Sequence, residues 1–264
     1  MTEKIHLRTP AKLYDGKWMD AELVLGDETL AIGNKRIPVK EVEDIDNVEI
    51  ENVSAIKIKK DGEIIIKPPE KLHAQVFRFL SFNLKADRFA VYFLARATSG
   101  GVVSAGVQWE KGYFSVTEEG LWFLSPKKQE RIPLENMGSV EKDVRNVGGQ
   151  QRMVLVLSHV EKGSVLTSLI MCPETTLEMV NNYLQRLIKS HKPEIELTEE
   201  EKEILTLIYS GLDSVSIENF IGVSTEDLNA YYDRIVEAGL ANVVKIRKEI
   251  ELTPSGISMV DKVK

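Results

Sequence analysis

The chain has 264 residues, of which 43% are hydrophobic and 28% charged, with a formal net charge of -7 and a single cysteine, Cys172. Such a composition fills more than one core and leaves little room for disorder outside termini and loops. Its acidic balance argues against non-specific attraction to nucleic acid or anionic lipid, and one cysteine allows neither an internal disulfide nor a cysteine-rich zinc site.

The opening MTEKIHLRTPAKLYDG holds no apolar core of the kind a secretion signal needs, and no later run approaches about 18 apolar residues, so a cytoplasmic protein without membrane insertion is expected. Lys12–Tyr14, Trp18–Leu25, Thr29–Ile32, Arg36–Val39, Ala55–Lys60 and Glu63–Lys67 then read as short strands, separated by Asp-Gly and Gly-Asn turn signals. In the fifth run Ile56 and Ile58 alternate with Lys57 and Lys59, the period of a strand with one wet face. At Pro69 the period changes. PEKLHAQVFRFLSFNL sets Leu72, Val76, Phe79 and Leu80 on one helical stripe, which predicts a helix closing the open side of a bent antiparallel sheet.

The series then returns. AELVLGDETLAIGNKRIPV, from Ala21, and GYFSVTEEGLWFLSPKKQERIPL, from Gly112, share one strand and turn pattern that closes on Arg36 to Val39 and on Arg131 to Leu134. The run DRFAVYFLAR from Asp87 opens the second copy, the soft stretch ATSGGVVSAG follows it, and PETTLEMVNNYLQRLIK repeats the closing helix with Leu177, Val180, Leu184 and Leu187 inward. Cys172, in SLIMC, reads as a buried small hydrophobe. Strands ending in one capping helix, twice over, resemble the pleckstrin-homology-like fold, with modules at 1–86 and 87–192 of an α+β chain.

After His191 the composition changes, and a third domain is expected over 193–264. Thr198 with Glu201 forms a capping box ahead of Ile204, Leu205 and Ile208. A second helix is expected at Ser216–Phe220. A third runs from the cap Ser224 through Ala238, burying Leu228, Tyr232, Ile235 and Val236. Two strand-like runs around Arg247–Glu249 and a last helix from Gly256 complete the pattern of a winged helix domain.

A winged helix invites a DNA-binding reading, that of a transcriptional regulator. From Glu194 to Lys264, however, fifteen acidic side chains stand against seven basic ones, a net of -8. The helix that would enter the groove carries Glu226, Asp227, Asp233 and Glu237 against Arg234 alone, where duplex binding needs several phosphate-neutralising cations. Protein docking is the better reading. Asp227, Tyr231 and Arg234 recur at helical spacing on that third helix, and Lys245, Arg247 and Lys248 stand on the wing; together they form the expected partner-binding face.

The basic patches Lys57, Lys59, Lys60 and Lys127, Lys128, Arg131 are short and flanked by Asp61, Glu63 and Glu130, which suits a solvated strand edge better than a lipid site. His6, His73, His159 and His191 are scattered and belong to no catalytic or metal-binding motif, His73 reading as a satisfied helix histidine and His159 as the approach to a turn. No enzyme, cofactor or metal is expected. The strand edges of the two modules also allow a homodimer.

The combination and order of KLYDGKW, LAIGNKRIPVKEVEDIDNV, GYFSVTEEGLWFLSPKKQERIPLENMGSV and LTEEEKEILTLIYSG is similar to the archaeal taxis protein CheF family, over residues 7 to 260. That resemblance implies a cytoplasmic adaptor of archaeal taxis at the base of the archaellum. It would link the response regulator CheY, preferentially phosphorylated, together with CheD and CheC-type proteins, to the archaellum switch proteins.

Overall fold

The computed structural model describes residues 3–99, 102–103, 106–191 and 196–243. Met1–Lys192 form one compact unit and Pro193–Lys264 a second.

The first unit holds two antiparallel sheets. One contains β1 (Ile5–Tyr14), β2 (Trp18–Gly26), β3 (Thr29–Ile32), β4 (Lys35–Pro38), β5 (Asp44–Ile50), β6 (Val53–Lys59) and β7 (Glu63–Lys67), and is followed by helix α1 (Glu70–Ser81). The other contains β8 (Asp87–Ser99), β9 (Val102–Val103), β10 (Glu110–Val116), β11 (Gly120–Leu124), β12 (Gln129–Pro133), β13 (Met137–Val147), β14 (Gln150–Glu161) and β15 (Ser164–Met171), followed by α2 (Glu174–His191). Their strand orders, β4-β3-β2-β1-β7-β6-β5 and β12-β11-β10-β8-β15-β14-β13, superimpose one for one, with β9 an extra strand paired to β8. The repeated sequence is therefore a repeated topology. In each copy a four-strand meander and a three-strand meander join through the first and last strands.

Each sheet buries the face its alternation supplies. Ile56, Ile58 and Ile66 lie in the first core with Val76, Phe77 and Leu80 of α1. Leu155, Leu157 and Ile170 lie in the second with Leu177, Val180 and Leu184 of α2. The stripe on α1 is rotated from the expected one, because Phe77 is buried while Leu72 and Phe79 are half-exposed. Two strand expectations also shift. β1 starts at Ile5 rather than Lys12, and β5 arises from DIDNVEI, whose acidic residues mask its alternation. His159, expected near a turn, is instead buried within β14. Cys172 is partly buried against the second core, and that burial pushes its thiol pKa up.

One irregularity matters for the site. Three residues, Ala95 to Ala97, lie between the β8 partners of Leu169 and Thr167, so β8 bulges opposite Ser168. Arg96 takes a left-handed conformation at φ 53°, and its backbone N–H donates to Ser168 Oγ at 3.0 Å. A bulge re-aims a side chain, here the Arg96 guanidinium.

In the second unit α3 (Glu199–Tyr209), α4 (Ser214–Ile221) and α5 (Thr225–Glu237) pack around Ile204, Ile217, Leu228 and Ile235. Every start is capped by a side chain: Thr198 to Glu201 N–H, Asp213 to Ser216 N–H, and Ser224 to Asp227 N–H. Gly222, at φ 78°, ends α4 in the left-handed form that favours glycine. The expected wing strands around Arg247–Glu249 and the helix from Gly256 lie outside the described residues.

Candidate functional site

The joint between the two sheets begins with a break in alternation. On β3 the residues TLAI alternate between half-buried and buried, but all five residues of β11 are buried. Phe123 and Leu121 face the second core, whereas Trp122 and Leu124 belong to the first. The outer face of β11 is thus covered by the other module.

Register explains the polar centre of this joint. Trp122 sits directly opposite Arg131 on β12, and Asp44 directly opposite Lys59 on β6, so each pair presents one face of its sheet. Trp122 Nε1 donates to Asp44 Oδ1 at 3.1 Å, and Arg131 Nε donates to Asp44 Oδ2 at 2.8 Å, with a second bond from Arg131 Nη2. Asp44 is buried and the Arg131 side chain only 16% exposed, so this is a desolvated, multiply bonded pair. Around it the Phe77 and Trp122 rings lie 5.8 Å apart, and Arg78 donates to the Pro126 carbonyl at 3.3 Å. Lys59 and Glu119 pair across the joint; their hydrogen bond raises the lysine pKa and lowers that of the glutamate.

Beside the joint lies a polar cleft of about 740 Å³. Arg96, re-aimed by its bulge, reaches Glu130 at 3.4 Å and Glu161 at 3.0 Å, and Lys128 also pairs with Glu130. His159 lines the same cleft, and burial pushes its pKa below the ordinary imidazole value. Of the cationic groups here, Arg96, Lys128 and Arg131 already face carboxylates. The same holds for the first expected basic patch, where Lys57 pairs with Glu63 at 3.2 Å and Lys60 with Glu41 and Asp61. Arg131, expected in a surface patch, instead holds the joint. His6 pairs with Asp27, and His73 shares a 2.8 Å hydrogen bond with Asn47. Among the described residues no group of three or more His, Cys, Asp or Glu side chains is placed to hold a metal ion, and no helix is long and apolar enough to cross a membrane.

On the helical unit the three residues expected on α5 have distinct settings. Asp227 helps hold the helix start: its backbone N–H donates to Ser224 Oγ at 3.1 Å and its carboxylate accepts from that hydroxyl at 2.6 Å. Tyr231 is half-buried against the core. Arg234 bonds Glu201 at 2.9 Å, and Glu201 is the buried carboxylate that also accepts from Thr198 N–H at 2.8 Å. Arg234 therefore ties α5 to the start of α3 while its side chain stays largely exposed. Lys245, Arg247 and Lys248 lie outside the described residues. Sequence reasoning missed two apolar side chains on this unit, Tyr209 and Phe220, which are 70% and 65% exposed. Each sits at a helix C-terminus just before a glycine turn, and that position was the available signal.

Comparison with known proteins addresses both units. The family described as "Archaeal Chemotaxis signal transduction system protein F" matches residues 8–190, the whole two-sheet body. The chain belongs to this family. A domain of unknown function, DUF8579, matches residues 196–264. Among curated proteins the chain is similar to "Taxis protein CheF1" of Halobacterium salinarum, 20% identical over 259 residues, covering 93% of this chain and 88% of the relative. Membership places the chain in archaeal chemotaxis signal transduction, and similarity to the relative runs through both units.

Proposed function

We propose that this CheF-family protein is a non-enzymatic adaptor that docks the phosphorylated response regulator CheY on its helical unit and holds it against the archaellum switch proteins through the two-sheet body. CheD and CheC-type proteins are further partners on this reading. The observation that carries it is the family match over residues 8–190, joined to a full-length similarity with a taxis protein. The fold fits the role. Two sheets that share one seven-strand order, each followed by a helix, support tandem pleckstrin-homology-like modules at 1–86 and 87–192, and the capped helices α3 to α5 support a winged helix domain over 193–264.

The mechanism is regulated binding. Phosphorylation reshapes an output surface of the regulator, and the complementary face on the adaptor then gains differential affinity; a change of about 1.4 kcal/mol is tenfold in the binding constant. The docking face on this reading comprises Asp227, Tyr231 and Arg234 with Lys245, Arg247 and Lys248, and the exposed rings of Tyr209 and Phe220 on the same unit are further candidate anchors. A duplex-DNA role is disfavoured by the same surface, since α5 carries four acidic residues and its Arg234 is engaged by Glu201. Fluorescence titration of the full chain with CheY tests the face. Tyr231→Ala and Phe220→Ala are each expected to weaken binding by more than about 1 kcal/mol, and wild-type affinity in both variants would remove this face from the proposal.

A further inference from the structure

The two copies part company at one place where helix and sheet meet. Val76 and Leu80 of α1 stand seven and eleven residues beyond Pro69, and Val180 and Leu184 of α2 stand seven and eleven beyond Pro173; all four are buried in their own cores. Counted the same way, Phe79 of α1 corresponds to Tyr183 of α2, and Arg78 to Asn182. On the sheets, Leu25 opposite Leu30 corresponds to Val116 opposite Leu121. Leu7, the partner of Leu25 on β1, therefore corresponds to Asp87, the partner of Val116 on β8.

In the second copy this place is polar. The Tyr183 hydroxyl is set to donate to the Asp87 carboxylate, and burial together with that carboxylate pushes the phenol pKa up. In the first copy both positions are apolar, and Leu7 and Phe79 are only half-buried. A pocket of about 460 Å³ opens there, walled by Leu7, Leu25, Phe79, Phe82 and Pro126. The repeat shows that the fold closes this place with a polar pair, so core packing does not explain the apolar one.

One charge at this pocket is uncommitted. Arg78 lines it and is exposed; its Nη1 donates to the Pro126 carbonyl at 3.3 Å, and among the described residues no carboxylate pairs with it. His6, the other ionisable residue of the lining, is engaged by Asp27, and its ring lies 5.4 Å from that of Phe79. Ligand pockets combine apolar walls with a few placed polar groups, and a guanidinium offers paired N–H donors that match a carboxylate. We propose that this pocket binds a small amphipathic carboxylate, its apolar body against Leu7, Phe79 and Phe82 and its anionic end on Arg78. The bound molecule would touch Phe79 of the first copy and Pro126 of the second. The site shares no residue with the docking face on the helical unit.

Calorimetric titration of the full chain tests this, with octanoate as the probe and octanamide as a neutral control of the same shape. Saturable one-site binding of octanoate is expected with a Kd below about 1 mM, and octanamide should bind about tenfold more weakly. Arg78→Gln, at an exposed side chain, should lower the octanoate affinity about tenfold and erase the preference over the amide. Leu7→Asp combined with Phe79→Tyr rebuilds the polar pair of the second copy and should abolish binding of both probes. Thermal unfolding of each variant separates loss of the site from loss of the fold. Absence of saturable octanoate binding, equal affinity for octanoate and octanamide, or undiminished octanoate binding by the Arg78→Gln protein would overturn the proposal.

Discussion

Replacing Asp44 by alanine should be among the most damaging single changes in the two-sheet body. The substitution removes the hydrogen-bond acceptor of a guanidinium that is only 16% exposed and of an indole N–H that is wholly buried, leaving the guanidinium only the half-exposed Asp46 carboxylate at 3.6 Å. Removing one partner of a buried ion pair costs about 3–5 kcal/mol, chiefly from the uncompensated charge that remains. For a unit of this size each kcal/mol lowers Tm by roughly 2–4 °C, so a fall on the order of 10 °C or more is expected by circular dichroism or calorimetry. Two companion variants sharpen the test. Asp44→Leu combined with Arg131→Met removes both charges and should cost far less than either single change, giving a large favourable coupling in a double-mutant cycle. With Trp18 and Trp109 replaced by phenylalanine, Trp122 emission should shift to the red in Asp44→Ala as the joint admits water. A Tm within about 2 °C of wild type, or strict additivity in the cycle, would refute the reading of this cluster as the lock between the sheets.

Glu201→Ala should destabilise the helical unit by about 2–4 kcal/mol, because it removes half of the capping box on α3 and the buried acceptor of Arg234. Arg234→Ala, at a largely exposed side chain, should cost less; equal losses in chemical denaturation would show that the cap carries little of the effect. Folding stability should also fall in acid through His159. Its folded pKa lies below the unfolded value, so its neutral form favours folding fully above about pH 6.5, and that contribution is lost as pH falls from there toward the depressed folded value. The Lys59–Glu119 pair loses its contribution only below the ordinary carboxylate range, because the glutamate pKa is lowered, so the window between about pH 7 and 5 isolates the histidine; the check is His159→Gln, whose Tm should decline less steeply there. A parallel decline would remove His159 as a cause.

Much of the architecture was legible because the two copies corroborate each other. RIPV and RIPL fix the end of the first meander, and Pro69 and Pro173 each precede a helix whose stripe shares the period of the other. The capping box at Thr198 and Glu201 was likewise readable from spacing alone. The joint was harder, because its polar groups are 87 positions apart in sequence and no local pattern links Asp44 to Arg131. A signal for it did exist. GLWFL fails to alternate where TLAI does, and a strand apolar on both faces needs cover on both faces, so the comparison of copies marked Trp122 as lying beneath a second layer. β5 was missed since Asp44, Asp46 and Glu49 depress its strand signal, although Asp44 is the acidic residue the joint requires. Arg234 shows the converse: spacing placed it on a face with Asp227 and Tyr231, but only the packing of α5 against α3 reveals Glu201 as its partner.

The central claim, phosphorylation-dependent docking by an adaptor, is tested most directly by isothermal titration of the full chain with CheY from the same cell, with and without beryllofluoride as the phosphoryl mimic. The account predicts saturable binding that is tighter by about tenfold or more in the activated state, and weakened by Tyr231→Ala. Absence of binding in both states, or equal affinity with and without the mimic, would contradict it.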